Sequence, residues 1–212
     1  MPRVDTFAEI ADERRGLADL AAGLTAGQLA TPSLCSGWTV HDVLAHLVVP
    51  LEVGIPRFVL TMLACRGNFD RANDRLTRRL ARRSTTELAE VLRSKAGSRF
   101  TPPGSGPEAP LTDLVVHGLD IRRPLGLPRA IPPVRLRTAL DFAVTAPVAG
   151  AATKRALAGL RFEAADLDWS SGSGPVVRGP ADDLLLAVTG RRTALDSLGG
   201  DGLPTLRSRL AD

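Results

Sequence analysis

The residues of this sequence best suited to metal chemistry are its histidines, of which there are only three. His117 follows Asp113 by four positions in LTDLVVHGLDI, and on a helix this spacing puts a carboxylate and an imidazole side by side. His46 lies among aliphatic residues in HDVLAHLVV, on or beside the inward face of another predicted helix. Helical bundles often build metal sites from such facing helices. Three ligands, His46, Asp113 and His117, would leave one coordination position open, which suits a catalytic metal ion.

The spacing alone leaves other interpretations open. A histidine among aliphatic side chains is also typical of a hydrogen-bonded core residue, and an aspartate four residues before a histidine is common by chance. His41 lies five positions before His46, about 140° around a helix, so both cannot face one ion, and we expect His41 to be exposed. Asp42 lies four positions before His46, but its place three residues after Thr39 favours a capping box.

The two cysteines, Cys35 and Cys65, are too few for a disulfide framework and lack CxxC spacing. We interpret both as reduced thiols. Cys65 is predicted to pack as a small core residue. Cys35 lies just before the helix of His46 and is either a redox-sensitive neighbour of the site or a buried turn residue.

The elements that must position these residues are mostly helices. Apolar spacing and capping patterns predict helices over 4–24, from Thr39 through Val53 with a bend or break at Pro56, from Ser84 to about Lys95, over 111–123 and over 134–146. The Pro- and Gly-rich segment 101–110 is predicted as a loop. These elements predict an all-α bundle over residues 1–150.

The pattern changes after residue 150. Segments 159–163 and 166–178 are predicted as strands around a Gly/Ser turn. Gly179-Pro180 then opens a helix that ends at Gly190, and the tail 203–210 is predicted as a last short helix. Residues 151–212 are therefore predicted to form a small α/β domain.

The composition limits the classes of protein to which this chain can belong. A 44% hydrophobic and 24% charged sequence is typical of a globular protein, and no stretch approaches the roughly 18 apolar residues of a membrane span. The N-terminus has no signal-peptide apolar block, so we expect a cytoplasmic protein.

The net charge is only +4, and nearly all of the positive charge is arginine. Four of the arginines, Arg71, Arg75, Arg78 and Arg82, would share one helix face. We interpret this face as solvated, with contact to nucleic acid, protein or a small anion as alternatives; the scarcity of aromatic residues disfavours nucleic acid.

Three segments carry a resemblance to a known family. SLCSGWTVHDVLAHLV, PLTDLVVHGLDIRRPLG and FEAADLDWSSGSGPVVRGPADDLLLAVTGR resemble, in this order, the signatures of the mycothiol-dependent maleylpyruvate isomerase family within the DinB-like superfamily. The resemblance implies a mainly α fold: a DinB-like up-down four-helix bundle followed by a small sterol-carrier-like α/β domain.

The resemblance also implies a function. A divalent metal, zinc by expectation, would be held by His46, Asp113 and His117, although the isomerases of the family carry a glutamate where Asp113 stands. Asp120 and Arg122 would support the site or form salt bridges, and Arg191, in the T-G-R segment, is the candidate cofactor-binding residue.

The implied chemistry is thiol activation. Mycothiol, as cosubstrate, would add to a small electrophile; its later loss gives isomerisation and its retention gives conjugation. We therefore expect a transferase or isomerase that is a monomer or homodimer, with no nucleic-acid or membrane partner. The alternative is a non-catalytic, metal- or thiol-binding DinB-like protein.

Overall fold

The structure is a computed structural model that describes residues 5–128, 130–145 and 154–210. The chain divides into two compact units, Met1–Arg129 and Ala130–Asp212. In the described part of the chain no helix has the length and apolar character needed to cross a membrane.

The first unit is helical. Its helices are α1 (Thr6–Gly23), α2 (Ala26–Leu29), α3 (Val40–Glu52), α4 (Ile55–Ala64), α5 (Phe69–Leu80), α6 (Thr85–Ser94) and α7 (Glu108–Arg122). α1 packs against α6 and α7, and α3 packs against the same two helices. These four helices form the bundle, while α5 packs on α3 and α4 packs on α5.

The bundle core consists of aliphatic side chains from all four helices. Those with the largest fully buried volumes are Ile10, Leu17, Leu44, Leu47, Leu88, Leu92, Leu111 and Ile121. Burial of each such side chain contributes about 1.5–3 kcal/mol of hydrophobic free energy. The core therefore holds α3 and α7, the helices that carry the three candidate ligands, in contact with each other.

The helix starts are set by the predicted capping boxes. Thr39 accepts a hydrogen bond from the backbone N–H of Asp42, and the Asp42 carboxylate accepts one from the backbone N–H of Thr39. Ser84 and Glu87 make the same reciprocal pair at the start of α6. The predicted break near Pro56 is also observed, because α3 ends at Glu52 and Pro56 lies in the first turn of α4, where a proline costs no hydrogen bond.

The second unit combines short helices with one small sheet. Its elements are α8 (Pro133–Thr145), α9 (Lys154–Leu157), β1 (Arg161–Ala164), β2 (Ser170–Gly172), β3 (Val176–Gly179), α10 (Ala181–Val188), a 3-10 helix (Arg192–Ser197) and α11 (Leu203–Arg209). β1 is the central strand, antiparallel to β2 and parallel to β3. α10 packs against α8, β1 and β3. The expected fold, a helical bundle followed by a small α/β unit, is confirmed.

The sequence predictions differ from the structure at several boundaries. The two predicted strands, 159–163 and 166–178, are replaced by three shorter ones, because Gly172 and Gly174 adopt positive φ angles and break the second segment. Helix α7 begins at Glu108, inside the predicted loop 101–110, since a proline within the first helical turn, Pro110, has no intrahelical hydrogen bond to lose.

The predicted division into domains at residue 150 stays a prediction. The expected boundary between residues 150 and 151, and the end of the helix predicted over 134–146, lie outside the described residues. The structure assigns α8 to the second unit, because this helix packs against α10. The arginine face changes as well: α5 ends at Leu80, so Arg82 lies beyond it.

Candidate metal centre

The structure brings His46 of α3 together with Asp113 and His117 of α7. The Asp113 Oδ1 atom lies 3.6 Å from His46 Nε2 and 3.4 Å from His117 Nε2. The three ligand atoms all lie within 4.8 Å of one another. Both imidazoles are 12% exposed and the Asp113 side chain is 39% exposed, so the cluster opens to its surroundings on the Asp113 side.

The donor set fits a zinc ion in type and in spacing. Zinc prefers imidazole nitrogen and carboxylate oxygen at about 2.0–2.2 Å, which separates neighbouring ligand atoms of a tetrahedral site by about 3.3–3.6 Å. The two nitrogen-to-oxygen distances fall in this range. They are also too long for good hydrogen bonds, so the cluster is not explained by direct pairing of the three side chains.

A second group of side chains lies behind His117. The His117 Nδ1 atom is 2.8 Å from Asp120 Oδ2, and the Asp120 side chain is fully buried. The Cys35 thiol donates to the same Asp120 oxygen at 3.1 Å and lies 3.6 Å from His117 Nδ1. A carboxylate on the outer nitrogen of an imidazole fixes the ring so that Nε2 faces the metal position, as is usual for metal-binding histidines.

His46 is held differently. Its ring packs against Trp38, with centroids 5.1 Å apart, and meets the His117 ring edge-on at 4.7 Å. Trp38 in turn donates to Asp74 of α5 at 2.9 Å, and Arg78 binds both Asp74 and the carbonyl oxygen of Gly37. The buried Nδ1 atom of His46 has no hydrogen-bond partner among the described residues. Ring packing, with support from α5, therefore orients this imidazole.

The charges in the cluster reinforce each other. Burial acts to raise the pKa of Asp113, but electrostatic attraction to the His117 and His46 imidazoles outweighs it and holds that pKa well below its usual value. Burial acts to lower the pKa of His117, but Asp113, Asp120 and Cys35 together raise it above its ordinary 6.5. These opposite shifts favour an ionised carboxylate beside a protonated imidazole in the metal-free site, and a metal ion that binds His117 Nε2 displaces that proton.

A buried arginine near the site was missed by the sequence analysis. Arg14 of α1 is 2% exposed, and its Nη1 atom donates to the carbonyl oxygens of Ala96 and Ser98 at 2.9 and 2.7 Å. Burial lowers the pKa of Arg14, while the charge of Asp113 acts to raise it. The available signal was its place in the sequence, since Arg14 falls between the apolar positions Ile10 and Leu17 of an inward helix face.

The other candidate residues lie away from the three ligands or have other partners. His41, predicted to be exposed, is instead half-buried, because its ring nitrogens lie 3.1 Å from the Thr85 hydroxyl and 3.0 Å from the Ala81 carbonyl oxygen. Asp42 serves the capping box, as predicted. Asp120, expected to support the site, does contact His117.

Arg191 lies in the second unit. Its Nη1 atom donates to the carbonyl oxygen of Thr189 at 2.7 Å, at the C-terminal end of α10. A cation at this position satisfies a terminal carbonyl group and complements the helix dipole. The assignment of Arg191 to cofactor binding stays a prediction. Cys65, expected in the core, is half-buried at the end of α4.

Comparison with known proteins supports the resemblance found in the sequence. Residues 10–53, which include His46, match the family model described as the mycothiol maleylpyruvate isomerase N-terminal domain. Among solved structures, the chain is similar to the mycothiol-dependent maleylpyruvate isomerase with a TM-score of 0.55, and to a histidine-to-alanine mutant of that enzyme with a TM-score of 0.54. In both cases the identity is 17%, and the likeness covers 93% of this chain and 96% of the other.

The family match, the solved structures and the curated proteins give different kinds of information about this chain. At 17% identity the solved structures show that the fold is shared. A comparison with curated proteins gives no match. The predicted resemblance is therefore confirmed by the family match at the N-terminus and by the fold.

Proposed function

We propose that this chain is a metal-dependent enzyme that uses mycothiol to isomerise or conjugate a small electrophilic substrate, with zinc held by His46, Asp113 and His117. The observation that carries the proposal is the convergence of two imidazole nitrogens and one carboxylate oxygen within 4.8 Å, with a buried carboxylate behind one of the imidazoles. The family match at residues 10–53 supports mycothiol as the thiol.

The side chains have distinct parts in this proposal. His46 and His117 supply neutral nitrogen ligands, and Asp113 supplies the single negative charge. Asp120 accepts the Nδ1–H of His117 and keeps the Nε2 lone pair directed toward the metal position. Aspartate in place of the family's glutamate is accommodated, since Oδ1 of Asp113 already lies 3.4–3.6 Å from both Nε2 atoms.

Three protein ligands leave room for a small molecule. A zinc ion in such a site supplies an open coordination position at which a thiol loses its proton more readily. The exposed side of Asp113 gives a path for the thiol, whereas the bundle core closes the opposite side. The thiolate sulfur would add to the β-carbon of an α,β-unsaturated acid: the C–S bond forms as the C=C π bond breaks and its electron pair moves onto the conjugated carbonyl. This step is shared by isomerisation, which later expels the thiolate, and conjugation, in which the α-carbon gains a proton instead.

The first experiment measures metal content by inductively coupled plasma mass spectrometry. Wild-type protein purified without added chelator is compared with His46→Ala, His117→Ala and, as a control that also loses a histidine, His41→Ala. We expect close to one zinc per chain in the wild type and in His41→Ala, and loss in the other two variants. Wild-type protein that cannot be loaded with zinc contradicts the metal assignment.

The second experiment tests the enzyme activity with the zinc-loaded protein. Maleylpyruvate and a panel of α,β-unsaturated acids are supplied with mycothiol, and product formation is followed by chromatography. Turnover that needs both zinc and mycothiol supports the proposal. Zinc and mycothiol binding without turnover of any electrophile in the panel favours the alternative, a non-catalytic binding protein.

A further inference from the structure

The surface formed by α4 and α5 has an unusual arrangement of apolar side chains. Helix α4 buries none of its residues. In the described part of the chain, every large apolar residue with a highly exposed side chain lies in this region: Ile55, Val59, Leu60, Leu63 and Phe69, at 43–70% exposure. The first four lie within about 140° of the circumference of α4. An exposed apolar patch of this kind marks an interaction surface.

The same region is strongly basic. Residues 54–83 contain eight arginines and two aspartates. Six of the arginines are exposed and make no ion pair or side-chain hydrogen bond with any described residue: Arg57, Arg66, Arg71, Arg75, Arg79 and Arg82. Several of them line a groove between α4 and α5, together with Leu60. We refer to residues 55–82 as the α4–α5 surface.

The combination of charge and apolar side chains restricts the partner. A second copy of this chain would place one arginine-rich patch against another, and like charges at a contact are repulsive. Nucleic acid would match the arginines, but it offers phosphates and no apolar layer for side chains such as Leu60 and Leu63. An anionic bilayer presents negative headgroups and acyl chains at the same place, so it matches both parts of the surface.

We propose that the α4–α5 surface binds anionic phospholipid membranes peripherally. Helix α4 has only ten residues, far fewer than a membrane span needs, so it would lie in the plane of the interface. Its apolar side chains enter the headgroup region, and the arginines of α4 and α5 contact lipid phosphates. This peripheral association differs from a membrane span, which the sequence excludes, and it goes beyond the expectation of no membrane partner.

The test is flotation of the full-length protein with extruded vesicles made of equal amounts of phosphatidylglycerol and phosphatidylcholine. Vesicles of phosphatidylcholine alone serve as the neutral comparison. We expect binding only to the anionic vesicles and weakening of this binding when NaCl is raised from about 0.05 to about 0.5 M. Arg75→Gln/Arg79→Gln should weaken binding about 30-fold, from about fivefold for each arginine near an anionic surface.

Two further variants complete the test. Leu60→Ala/Leu63→Ala removes exposed apolar surface and should weaken binding at least about tenfold, without loss of thermal stability because both side chains are exposed. Arg178→Gln/Arg192→Gln removes two exposed arginines from the second unit and should leave vesicle binding unchanged.

Three results would overturn the proposal. The first is failure to bind anionic vesicles at low salt. The second is a wild-type dimer in analytical ultracentrifugation that Leu60→Ala/Leu63→Ala dissociates, with no vesicle binding. The third is binding of duplex DNA, lost in Arg75→Gln/Arg79→Gln, by a protein that does not bind vesicles.

Discussion

The buried carboxylate of Asp120 provides the sharpest test of how the metal position is built. Its Oδ2 atom lies 2.8 Å from His117 Nδ1 and 3.1 Å from the Cys35 thiol, and its side chain has no solvent exposure. Asp120→Asn keeps the shape and removes the charge. The amide either keeps an oxygen at the Oδ2 position without the negative charge, or places its NH₂ group there, which can accept from neither His117 Nδ1 nor the Cys35 thiol.

The expected cost follows from the geometry. Loss of a carboxylate behind a metal-binding histidine typically weakens metal affinity 10- to 100-fold, or about 1.4–2.7 kcal/mol. We expect the upper half of this range, because the Asp120 side chain is fully buried and water therefore cannot compensate for the loss of its negative charge. Asp120→Asn should therefore bind zinc about 30- to 100-fold more weakly than the wild type.

The assay is competition for zinc against a chromophoric chelator at fixed pH, with thermal melting of each metal-free protein as a folding check. Asp42→Asn is the matched control. Asp42 is also a buried carboxylate and lies one turn from His46, but its Oδ2 accepts hydrogen bonds from the backbone and hydroxyl of Thr39. We expect no more than a twofold change for Asp42→Asn. Equal affinities in Asp120→Asn and the wild type would refute the role given to Asp120.

Three other predictions follow from the charges and caps of the first unit. In the metal-free protein, the raised pKa of His117 contributes stability that is fully present below about pH 6.5 and is lost as the pH rises through the folded-state value, so urea unfolding should show a decline in that window that His117→Gln flattens. Arg14→Met should lower the free energy of unfolding by about 2–4 kcal/mol, because the buried carbonyl oxygen of Ala96 and the half-buried one of Ser98 lose a charged donor, whereas Arg15→Met, an exposed neighbour, should change it by less than about 0.5 kcal/mol. Thr39→Ala should cost about 1 kcal/mol in the same urea assay, since it removes the cap of α3; an unchanged value would mean that the cap is redundant.

The local features of the site could be predicted from the sequence because they depend on short-range geometry. Asp113 and His117 share one face of α7 through their four-residue spacing, and Thr39 and Asp42 start α3 through backbone hydrogen bonds within one turn. The approach of His46 to this pair depends on the packing of α3 against α7. Spacing alone left that contact open, and the family resemblance supplied it.

The features that could not be predicted depend on contacts between residues far apart in the chain. Cys35 reaches Asp120 across 85 positions, and Arg14 reaches the end of α6 across more than 80. His41 was expected in solvent because α5 and α6, which supply its partners around Ala81 and Thr85, were not placed beside it. The periodicity of apolar residues along the sequence does not indicate which residues of different helices come into contact.

Helix α4 is the converse case, because tertiary packing leaves its apolar side chains exposed. A helix rich in apolar residues predicts a buried element, yet α4 packs mainly on α5 among the described elements and leaves Leu60 and Leu63 at 66% and 70% exposure. Composition identifies the apolar side chains, whereas tertiary packing decides whether they are covered.

Zinc K-edge X-ray absorption of the zinc-loaded protein, before and after mycothiol is added, tests the three-ligand site directly. We expect only nitrogen and oxygen ligands in the thiol-free sample, and one new sulfur ligand at about 2.3 Å when mycothiol is present. A sulfur ligand already present without mycothiol, lost in Cys35→Ser, would place the metal in the group formed by Cys35, His117 and Asp120. That result, or a spectrum that mycothiol leaves unchanged, would contradict the open three-ligand site.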